Sequence, residues 1–300
     1  MNEGDAGVAP RLSVGLPVYN GERYLCEALD ALLAQTYTDF ELIISDNAST
    51  DRTSEICQDY AGRDPRIRYI RQHTNLGAVP NHNLLVDEAR GTYFKWASHD
   101  DLYRPELFEK CVRELDTHPD VVLVHAWDAV IDDEGRTVRE VPYELDTDDP
   151  DPAVRLRSLL RTPGGNDFYG VMRTDMLRRV GGHATYYNAD RTFMAKVLMQ
   201  GPFLQVPEVL YLRRDHAGRA TRAGSHRDRA AVLDPRRANR LRHPMPLMYA
   251  EYVLGFFVAI AKGRLTTRQQ VRCGLEVLRW MGGLLRSGRP QSLERELGLS

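Results

Sequence analysis

Acidic side chains occur in two short loops, each of which follows a run of mostly apolar residues. The first loop is Ser-Asp-Asn-Ala-Ser-Thr-Asp at residues 45–51, and the second is Ser-His-Asp-Asp at residues 98–101. Carboxylates in such loops either cap the next helix or hold a hard divalent cation such as Mg²⁺ or Mn²⁺. Capping alone explains the first loop well, but two acidic loops in one sheet favour a cation. That cation would neutralise the two phosphates of a departing nucleotide diphosphate.

The usual fingerprints of phosphate and dinucleotide binding do not occur in the sequence. No GxxxxGK[ST] motif is present, and no GxGxxG motif follows the first predicted strand. Both motifs bring backbone amides close to phosphates through glycine-rich turns. A nucleotide bound by this chain must therefore be held in a different way.

The elements that position these loops alternate between strand and helix. Strands are predicted at residues 12–18, 40–45, 67–70, 92–97 and 121–126, and helices at 22–35, 51–61, 79–89 and 105–117. This alternation predicts an α/β fold with a mostly parallel sheet flanked by helices. Ligands of such sheets bind outside the carboxyl ends of the strands. We therefore expect the loops after Val18, Ser45 and Ala97 to form one site.

The second half of the chain changes in character at about residue 132. Residues 132–151 carry nine acids against two arginines and predict an exposed hairpin and loop. Further helices are predicted at 153–161, 174–180 and 190–199, and a strand at 203–212. Residues 213–243 hold ten arginines against three aspartates, and helical patterns fill 247–262 and 267–286. The predicted organisation is a loose tail (1–10), an α/β domain (11–220) and a C-terminal helical appendage (221–300).

Composition and charge exclude several classes of protein. The 300 residues carry 40 basic and 42 acidic side chains, a net charge of −2, which excludes a general nucleic-acid binder. The four cysteines have neither CxxC nor zinc-ligand spacing, so we expect buried, reduced thiols. Residues 1–10 lack the apolar segment of a secretory signal, and the apolar run 245–261 is too short to span a membrane. We therefore expect a cytoplasmic protein.

Several ordered motifs resemble family 2 glycosyltransferases of the GT-A fold. They are Leu-Ser-Val-Gly-Leu-Pro-Val-Tyr-Asn at 12–20, the run 40–51, Asn-Leu-Gly at 75–77 with Asn83, and residues 91–105 around the second acidic loop. The similarity continues through Gly181-Gly182, Ala189-Asp190 and residues 206–216. The resemblance implies a metal-dependent enzyme that transfers a sugar, with inversion, from a nucleotide-diphosphate donor to an acceptor hydroxyl.

The resemblance also implies roles for individual residues. The residues that it places around the nucleotide-sugar donor are Pro17, Val18, Tyr19, Asn20, Asp46, Asn47, Asn75, Gly77, Asn83, Ser98 and His99. It implies that Asp100 and His216 hold Mn²⁺ or Mg²⁺, with Asp101 as a further candidate ligand. It implies that Asp190 is the general base, which the chemistry requires because a neutral hydroxyl is a poor nucleophile.

Three positions differ from the family's usual pattern. Asn47 stands where a second aspartate is common, and an asparagine carries no charge toward a base. Ser98 replaces the first acid of the Asp-x-Asp metal motif, which leaves fewer anionic ligands and predicts weak metal affinity. Ala189 replaces the glutamate that commonly precedes the base, although Asp190 itself is present.

Other functions stay open at this stage. The missing acids are compatible with a catalytically silent sugar- or nucleotide-binding module of the same fold. Nucleotidyl transfer also uses acids at strand ends, but the glycine- and lysine-rich loop of such enzymes is missing. The arginine-rich residues 213–243 and the helices after them fit peripheral contact with the inner face of a membrane, a homodimer interface or a solvated surface. The sequence does not identify the acceptor.

Overall fold

The computed structural model describes residues 9–143, 145–161, 166–186, 188–218, 232–239 and 242–286. Its strands are β1 (Leu12–Val18), β2 (Phe40–Asp46), β3 (Ile67–Arg71), β4 (Tyr93–Trp96), β5 (Leu102–Tyr103), β6 (Leu123–Ile131), β7 (Thr137–Val141), β8 (Val171–Arg173) and β9 (Phe203–Arg214). Its helices are α1 (Leu25–Leu33), α2 (Thr53–Arg63), α3 (Ala78–Glu88), α4 (Leu107–Thr117), α5 (Pro152–Arg161), α6 (Thr174–Val180), α7 (Ala189–Leu198), α8 (Met245–Ala261) and α9 (Thr267–Arg286).

The strands of the described chain form one sheet in the order β3-β2-β1-β4-β8-β6-β9-β5, with β7 paired to the far end of β6. β3, β2, β1 and β4 are parallel to one another, because helices cross over between them. β8 is antiparallel to both of its neighbours, and β5 is antiparallel to β9. The predicted α/β fold is confirmed, but the parallel arrangement holds for the first half of the sheet and the second half is mixed.

Helices cover both faces of the sheet, so β1 and β2 are buried along their whole length. One apolar layer contains α1, α2 and α4 together with the side chains that the parallel strands direct toward them. The other layer contains α3, α5, α6 and α7. This two-sided burial leaves β1 and β2 mostly apolar, and the polar side chains within them are paired, as when the buried Ser13 hydroxyl donates to Glu41 at 2.7 Å.

The two C-terminal helices belong to the second apolar layer. Gly255 of α8 packs against Tyr186 and Thr192, and the Trp280 ring of α9 lies 5.6 Å from the ring of Phe256. The helical appendage predicted from the sequence therefore shares the core of the α/β fold. Within the described residues, no helix is both long and apolar enough to cross a membrane.

A few local features differ from the predictions. β6 continues to Ile131, because its hairpin with β7 extends the strand, and the two-residue strand β5 is not predicted. All four cysteines are free, but Cys26 is exposed because it lies on the solvent side of α1. Residues 1–8 of the expected tail lie outside the described residues, as do 219–231 and 240–241 of the arginine-rich stretch.

Gly91, between α3 and β4, provides a test of the close packing beneath the parallel strands. A Cβ there would lie 2.6 Å from the backbone nitrogen of Ser13 and 2.8 Å from the carbonyl carbon of Leu12. We expect Gly91→Ala to lower the free energy of unfolding by about 1–3 kcal/mol through overpacking. Gly274→Ala, in an open position of α9, should instead raise it by up to about 1 kcal/mol. Equal effects in urea titrations would contradict this.

Candidate active site

The first acidic loop begins where β1 and β2 end side by side. Val18 is the register partner of Asp46, and the Asn47 amide donates to the Val18 carbonyl at 2.8 Å. Asp46 is buried, and its carboxylate accepts from the Ser49 amide at 2.8 Å and from the Tyr69 hydroxyl at 2.9 Å. The structure thus gives Asp46 a role in shaping the loop, and its contact with a nucleotide stays a prediction.

Asn47 connects this loop to the segment before α3. Its Nδ2 donates to Asn75 Oδ1 at 2.9 Å and to the Gly77 carbonyl at 3.2 Å, while its Oδ1 accepts from the Leu76 amide at 2.8 Å. Gly77 has a φ of +91°, and a Cβ there would lie 2.8 Å from Pro235 Cδ, so the position requires glycine. The predicted residues Asn47, Asn75 and Gly77 therefore meet in one polar junction.

The predicted donor residues at the end of β1 differ in exposure. Pro17 and Val18 are buried within the strand, whereas Tyr19 and Asn20 are exposed. Asn20 has a left-handed backbone with a φ of 51°, and its Oδ1 accepts from the Thr50 amide at 2.8 Å. Tyr19 is therefore the member of this set that presents the most side-chain surface to a ligand.

Asn83 of α3 holds the loop that leads to α7. Its Oδ1 accepts from the His183 amide at 2.7 Å, and its Nδ2 donates to the His183 carbonyl at 2.9 Å. Gly182 packs directly on this amide, since a Cβ there would lie 2.7 Å from Asn83 Cγ. The structure gives Asn83 a positioning role, and its contact with the donor stays a prediction.

The second acidic loop follows β4 and meets the end of β9. Asp100 Oδ2 lies 2.9 Å from His216 Nε2, and Asp100 Oδ1 accepts from the Ser98 hydroxyl. The ring of His216 also lies 4.9 Å from the ring of Tyr24 in the turn before α1. Two predicted metal ligands that are far apart in sequence are therefore neighbours in the fold.

His99 packs against the turn that follows β1. A Cβ on Gly21 would lie 2.6 Å from His99 Cδ2, so this glycine makes room for the imidazole ring. Burial lowers the pKa of His99, which favours the neutral ring. The ring thus joins the loop after β4 to the end of β1, the two places that the resemblance assigns to the donor.

Asp101, the further candidate metal ligand, is buried and bonded to β9. Its Oδ1 accepts from the Arg214 amide at 2.8 Å, and its Oδ2 accepts from the Tyr211 hydroxyl. Both oxygens therefore fasten the loop to the strand. The structure supports a positioning role for Asp101, and its role as a metal ligand stays a prediction.

Arg214, at the end of β9, is central to the site and is not singled out by the sequence analysis. Its side chain is 0% exposed. Nε donates to the Asp100 carbonyl at 2.9 Å, Nη1 donates to the Asp133 carbonyl at 2.6 Å, and Nη2 pairs with Glu27 at 2.7 Å. The guanidinium lies 4.5 Å from the centre of the Tyr24 ring, a cation–π contact. The sequence signal that could have revealed this burial is the position of Arg214, which directly continues the mostly apolar strand β9.

Asp190 is the second residue of α7, after the left-handed Asn188. The residue is exposed to solvent, yet the protein atoms around its carboxylate raise its pKa by desolvation. The backbone amides of Asp190 and Arg191, at the start of α7, favour the charged carboxylate and therefore offset part of this rise in pKa. A carboxylate that solvent can reach and whose pKa is raised is a stronger base than a free aspartate, which suits it to accept a proton.

The start of α7 packs against the end of β4. The ring of Phe193, three residues after Asp190, lies 5.6 Å from the ring of Trp96, two residues before Ser98. Phe168 stacks on Trp96, with the two ring centres 4.7 Å apart, and its ring lies 5.8 Å from that of Phe193. These aromatic contacts fix the helix that carries Asp190 to the strand whose loop carries Asp100.

A second carboxylate, Asp167, interacts electrostatically with Asp190 and is not predicted from the sequence. Its Oδ2 accepts from the Tyr143 hydroxyl at 3.1 Å, whereas its Oδ1 has no hydrogen-bond partner among the described residues. Burial raises the pKa of Asp167 to about 6, and the charge of Asp190 adds to the shift. Asp167 lies in a segment without regular periodicity, so no sequence pattern marks it as buried.

Lys95 of β4 is a buried cation beneath the second acidic loop. Its Nζ donates to the Tyr169 carbonyl and lies 5.3 Å from the ring centre of Tyr103 and 5.5 Å from that of Tyr211. Burial lowers the pKa of Lys95 to about 8, although the charge of Asp101 opposes the shift. The lysine thus places positive charge among the residues that hold the loop.

The metal-binding potential of the site is modest. Within the described ranges, no group of three or more His, Cys, Asp or Glu side chains is arranged to hold a metal ion. Asp100 and His216 offer one carboxylate oxygen and one imidazole nitrogen, a pair that suits Mn²⁺. The remaining ligands of such a cation would come from phosphate oxygens and water. The residues therefore fit a cation that is held jointly with a phosphorylated ligand.

Comparison with known proteins identifies the family. The family model described as glycosyl transferase family 2 matches residues 13–181, more than half of the chain. The chain belongs to glycosyl transferase family 2. The matched part of this family 2 chain includes both acidic loops and ends before Asp190 and His216. The resemblance seen in the sequence is confirmed.

Curated relatives of the family 2 chain match somewhat less than half of it. The putative glycosyltransferase EpsE of Bacillus subtilis is 36% identical over 144 residues, which are 47% of this chain and 50% of EpsE. The uncharacterized glycosyltransferase MJ1057 of Methanocaldococcus jannaschii is 33% identical over 137 residues, 45% of this chain and 47% of that protein. The chain thus spans half or less of the length of these relatives.

Solved structures with the same fold cover nearly the whole chain. Staphylococcus aureus TarS 1–349 in complex with UDP-GlcNAc matches 95% of this chain and 78% of its own, with a TM-score of 0.68 and 19% identity. The mannosyltransferase PcManGT from Pyrobaculum calidifontis, in complex with GDP-Man and Mn²⁺, matches 97% of this chain and 85% of its own, with a TM-score of 0.55 and 19% identity. The GT-A fold predicted for the family 2 chain is confirmed.

Arg214 and Glu27 offer a test of how much the buried guanidinium stabilises the site. Arg214→Met leaves the buried carbonyl of Asp100 without its donor, so we expect a loss of about 3 kcal/mol or more in the free energy of unfolding. Glu27→Gln should cost less than about 1 kcal/mol, because Glu27 is 55% exposed and the pair is solvated on that side. Urea titrations measure both, and a larger loss for Glu27→Gln would contradict the assignment.

Asp167 predicts a specific dependence of stability on pH. Because its pKa is raised from 3.8 to about 6 in the folded state, the stability it contributes is present below about pH 4 and lost as the pH rises through 6. We expect Asp167→Asn to remove this loss, so that the variant gains up to about 3 kcal/mol relative to the native chain at pH 7.5. The gain should vanish at pH 4. Urea unfolding at both pH values measures it, and a gain that does not depend on pH would contradict the prediction.

Proposed function

We propose that the chain is a glycosyltransferase that transfers a sugar from a nucleotide-diphosphate donor to an acceptor hydroxyl with inversion. The observation that carries the proposal is the meeting of Asp100 and His216, 2.9 Å apart, at the end of a β4 strand that also packs against the helix bearing Asp190. A leaving-group site and a proton acceptor are thus attached to one strand end. Membership of family 2 supports the same activity.

The donor would lie across the ends of β1, β2 and β4. Tyr19 offers an exposed ring for the base or ribose, while the buried junction around Asn47 keeps the surrounding loops in place. Asp100 and His216 would hold Mn²⁺ or Mg²⁺ together with the diphosphate, and the cation would supply Lewis-acid neutralisation of the leaving group. The PcManGT complex with Mn²⁺ supports this type of cofactor.

Asp190 would act as the general base. One of its carboxylate oxygens accepts the proton of the acceptor hydroxyl while the acceptor oxygen forms a bond to the anomeric carbon. The bond from that carbon to the diphosphate oxygen breaks on the opposite side, and the nucleotide diphosphate leaves with the electron pair. The raised pKa of Asp190 supports this role, since a base is most effective when its pKa approaches the working pH.

The proposal defines the class of donor, a sugar nucleotide, and leaves its base and sugar open. TarS is known in complex with UDP-GlcNAc and PcManGT in complex with GDP-Man, so both a uridine and a guanosine nucleotide fit the shared fold. Asn47 offers an amide in place of a carboxylate, and its amide atoms bond within the protein. We therefore propose a sugar nucleotide whose base is recognised mainly by stacking on Tyr19 and by backbone groups of the loops.

Substitution of Asp190 tests the proposal. We expect Asp190→Asn to lower turnover by about 100-fold or more, because the acceptor loses its proton acceptor, while donor affinity stays within about twofold. Release of nucleotide diphosphate is measured over a panel of sugar nucleotides and acceptors, with and without Mn²⁺. Donor affinity is measured by calorimetry with the donor that the panel selects.

Asp175→Asn is the matched control. Asp175 occupies the same second position of a helix, α6, but its side chain is 86% exposed and lies outside the site. It should keep native turnover. Donor binding without turnover in the native chain would instead identify a silent binding module, and a covalent phospho-enzyme would indicate phosphoryl or nucleotidyl transfer.

A further inference from the structure

The outer side of α9 carries an apolar stripe that the fold does not use. Val271, Leu275 and Leu278 follow one another at i, i+4 and i+7, so they share one face of the helix, and all three are exposed. The core contacts of α9 come from other positions, Cys273 and Val277. One apolar face is enough to pack a helix on a domain, so the second face requires another explanation.

Arginines line the edge of this stripe. Arg268, Arg272 and Arg279 occupy the adjacent strip of α9, and all three are exposed. Arg272 pairs with Asp151 at 2.6 Å and Arg279 pairs with Glu276 at 2.5 Å, whereas Arg268 forms no salt bridge within the described residues. A helix with an apolar face bordered by arginines is typical of segments that lie in the interface of an anionic membrane.

A cationic cavity lies beside the stripe, between α5 and α9. It has a volume of about 300 Å³, and its charged lining consists of Arg157 and Arg161 of α5 and of Arg279 and Glu276 of α9, which pair with each other. Within the described part of the chain, neither Arg157 nor Arg161 forms a salt bridge. Guanidinium groups bind phosphate oxygens through paired hydrogen bonds, so the cavity suits a phosphate headgroup.

The neighbouring helix adds to the apolar surface. Leu247, Leu254 and Val258 of α8 are exposed at i, i+7 and i+11, and α8 packs on α9 through Tyr252 and Trp280, whose rings are 6.1 Å apart. Both C-terminal helices therefore carry more exposed apolar side chains than their packing requires.

Four of the five described arginines of the sequence segment 213–243 are paired with acids, and only Arg242 is exposed without an ion pair among the described residues. Arg213 lies 3.7 Å from Asp128, Arg214 is buried with Glu27, Arg236 pairs with Asp234 and Arg237 with Glu251. Their charges are used within the fold. The membrane contact expected from that segment therefore has better support on α5 and α9.

We propose that α9, together with Arg157 and Arg161 of α5, is a docking surface for an anionic lipid bilayer. Leu275 and Leu278 enter the boundary between headgroups and acyl chains, and the arginines bind lipid phosphates. Charge favours this occupant over a second copy of the chain, because a symmetric contact through the same face would bring together the arginines of two copies that have no ion pair among the described residues, Arg157, Arg161 and Arg268.

The test measures binding of the full chain to vesicles by sedimentation. Vesicles contain phosphatidylcholine alone or phosphatidylcholine mixed with phosphatidylglycerol, at low and high salt. We expect binding only to the anionic vesicles, and a loss of about tenfold in affinity for the pair Leu275→Ser and Leu278→Ser. The pair Arg157→Gln and Arg161→Gln should cost about tenfold at low salt and less at high salt.

Val138→Ser and Arg139→Gln on β7 are the matched controls. Val138 is 63% exposed and Arg139 is also exposed, so they remove an apolar and a cationic side chain from another surface. Both should bind vesicles like the native chain, and circular dichroism should show that every variant is folded. The proposal is overturned if the native chain ignores anionic vesicles, if the controls lose as much affinity, or if the α9 variants abolish self-association of a chain that does not bind vesicles.

Discussion

A charge buried inside a protein needs partners that replace water, and the guanidinium of Arg214 finds them in three distant parts of the chain. Its acceptors are a carbonyl of the loop after β4, carbonyls of the β6–β7 turn, and Glu27 of α1. Because the Asp100 carbonyl is one of them, the carboxylate of the same residue is held where His216 reaches it. The geometry of the Asp100–His216 pair therefore depends on the guanidinium behind it.

The polar residues of the site divide into a buried framework and a few groups that a ligand can reach. Asp46, Asn47, Asn83 and Asp101 use their side chains to bind neighbouring backbone or side-chain groups. Such a framework is fixed before any ligand arrives, so little reorganisation is needed when charge develops in a reaction. Tyr19 and Asp190, by contrast, are exposed. The framework sets positions, and the exposed groups are free to interact with substrates.

Much of the fold was predictable from the sequence, because strands covered on both faces are mostly apolar and alternate along the chain with helices. β1 was predicted with its observed bounds, 12–18, and α6 with its observed bounds, 174–180. The antiparallel β8 and the short β5 were not predicted. Both strands are defined by their pairing with strands far away in sequence, and no local pattern of residues marks them. For the site, the family resemblance pointed to Asp100 and His216, which the fold brings within 2.9 Å, but burial decides the roles of Arg214 and Asp167. Burial of a charged side chain depends on partners far away in sequence.

The contact between Glu27 and Arg214 spans 187 residues of chain, and Asp100 and His216 are 116 residues apart. β9 is inserted between β6 and β5, so the sheet is incomplete until this strand arrives. During synthesis, the parallel strands and their helices can therefore form well before the chain emerging from the ribosome contains His216. The part of the site that contains Asp100 and His216 is assembled late, and a chain that stops short of residue 214 leaves the β4 loop without the arginine that orders it.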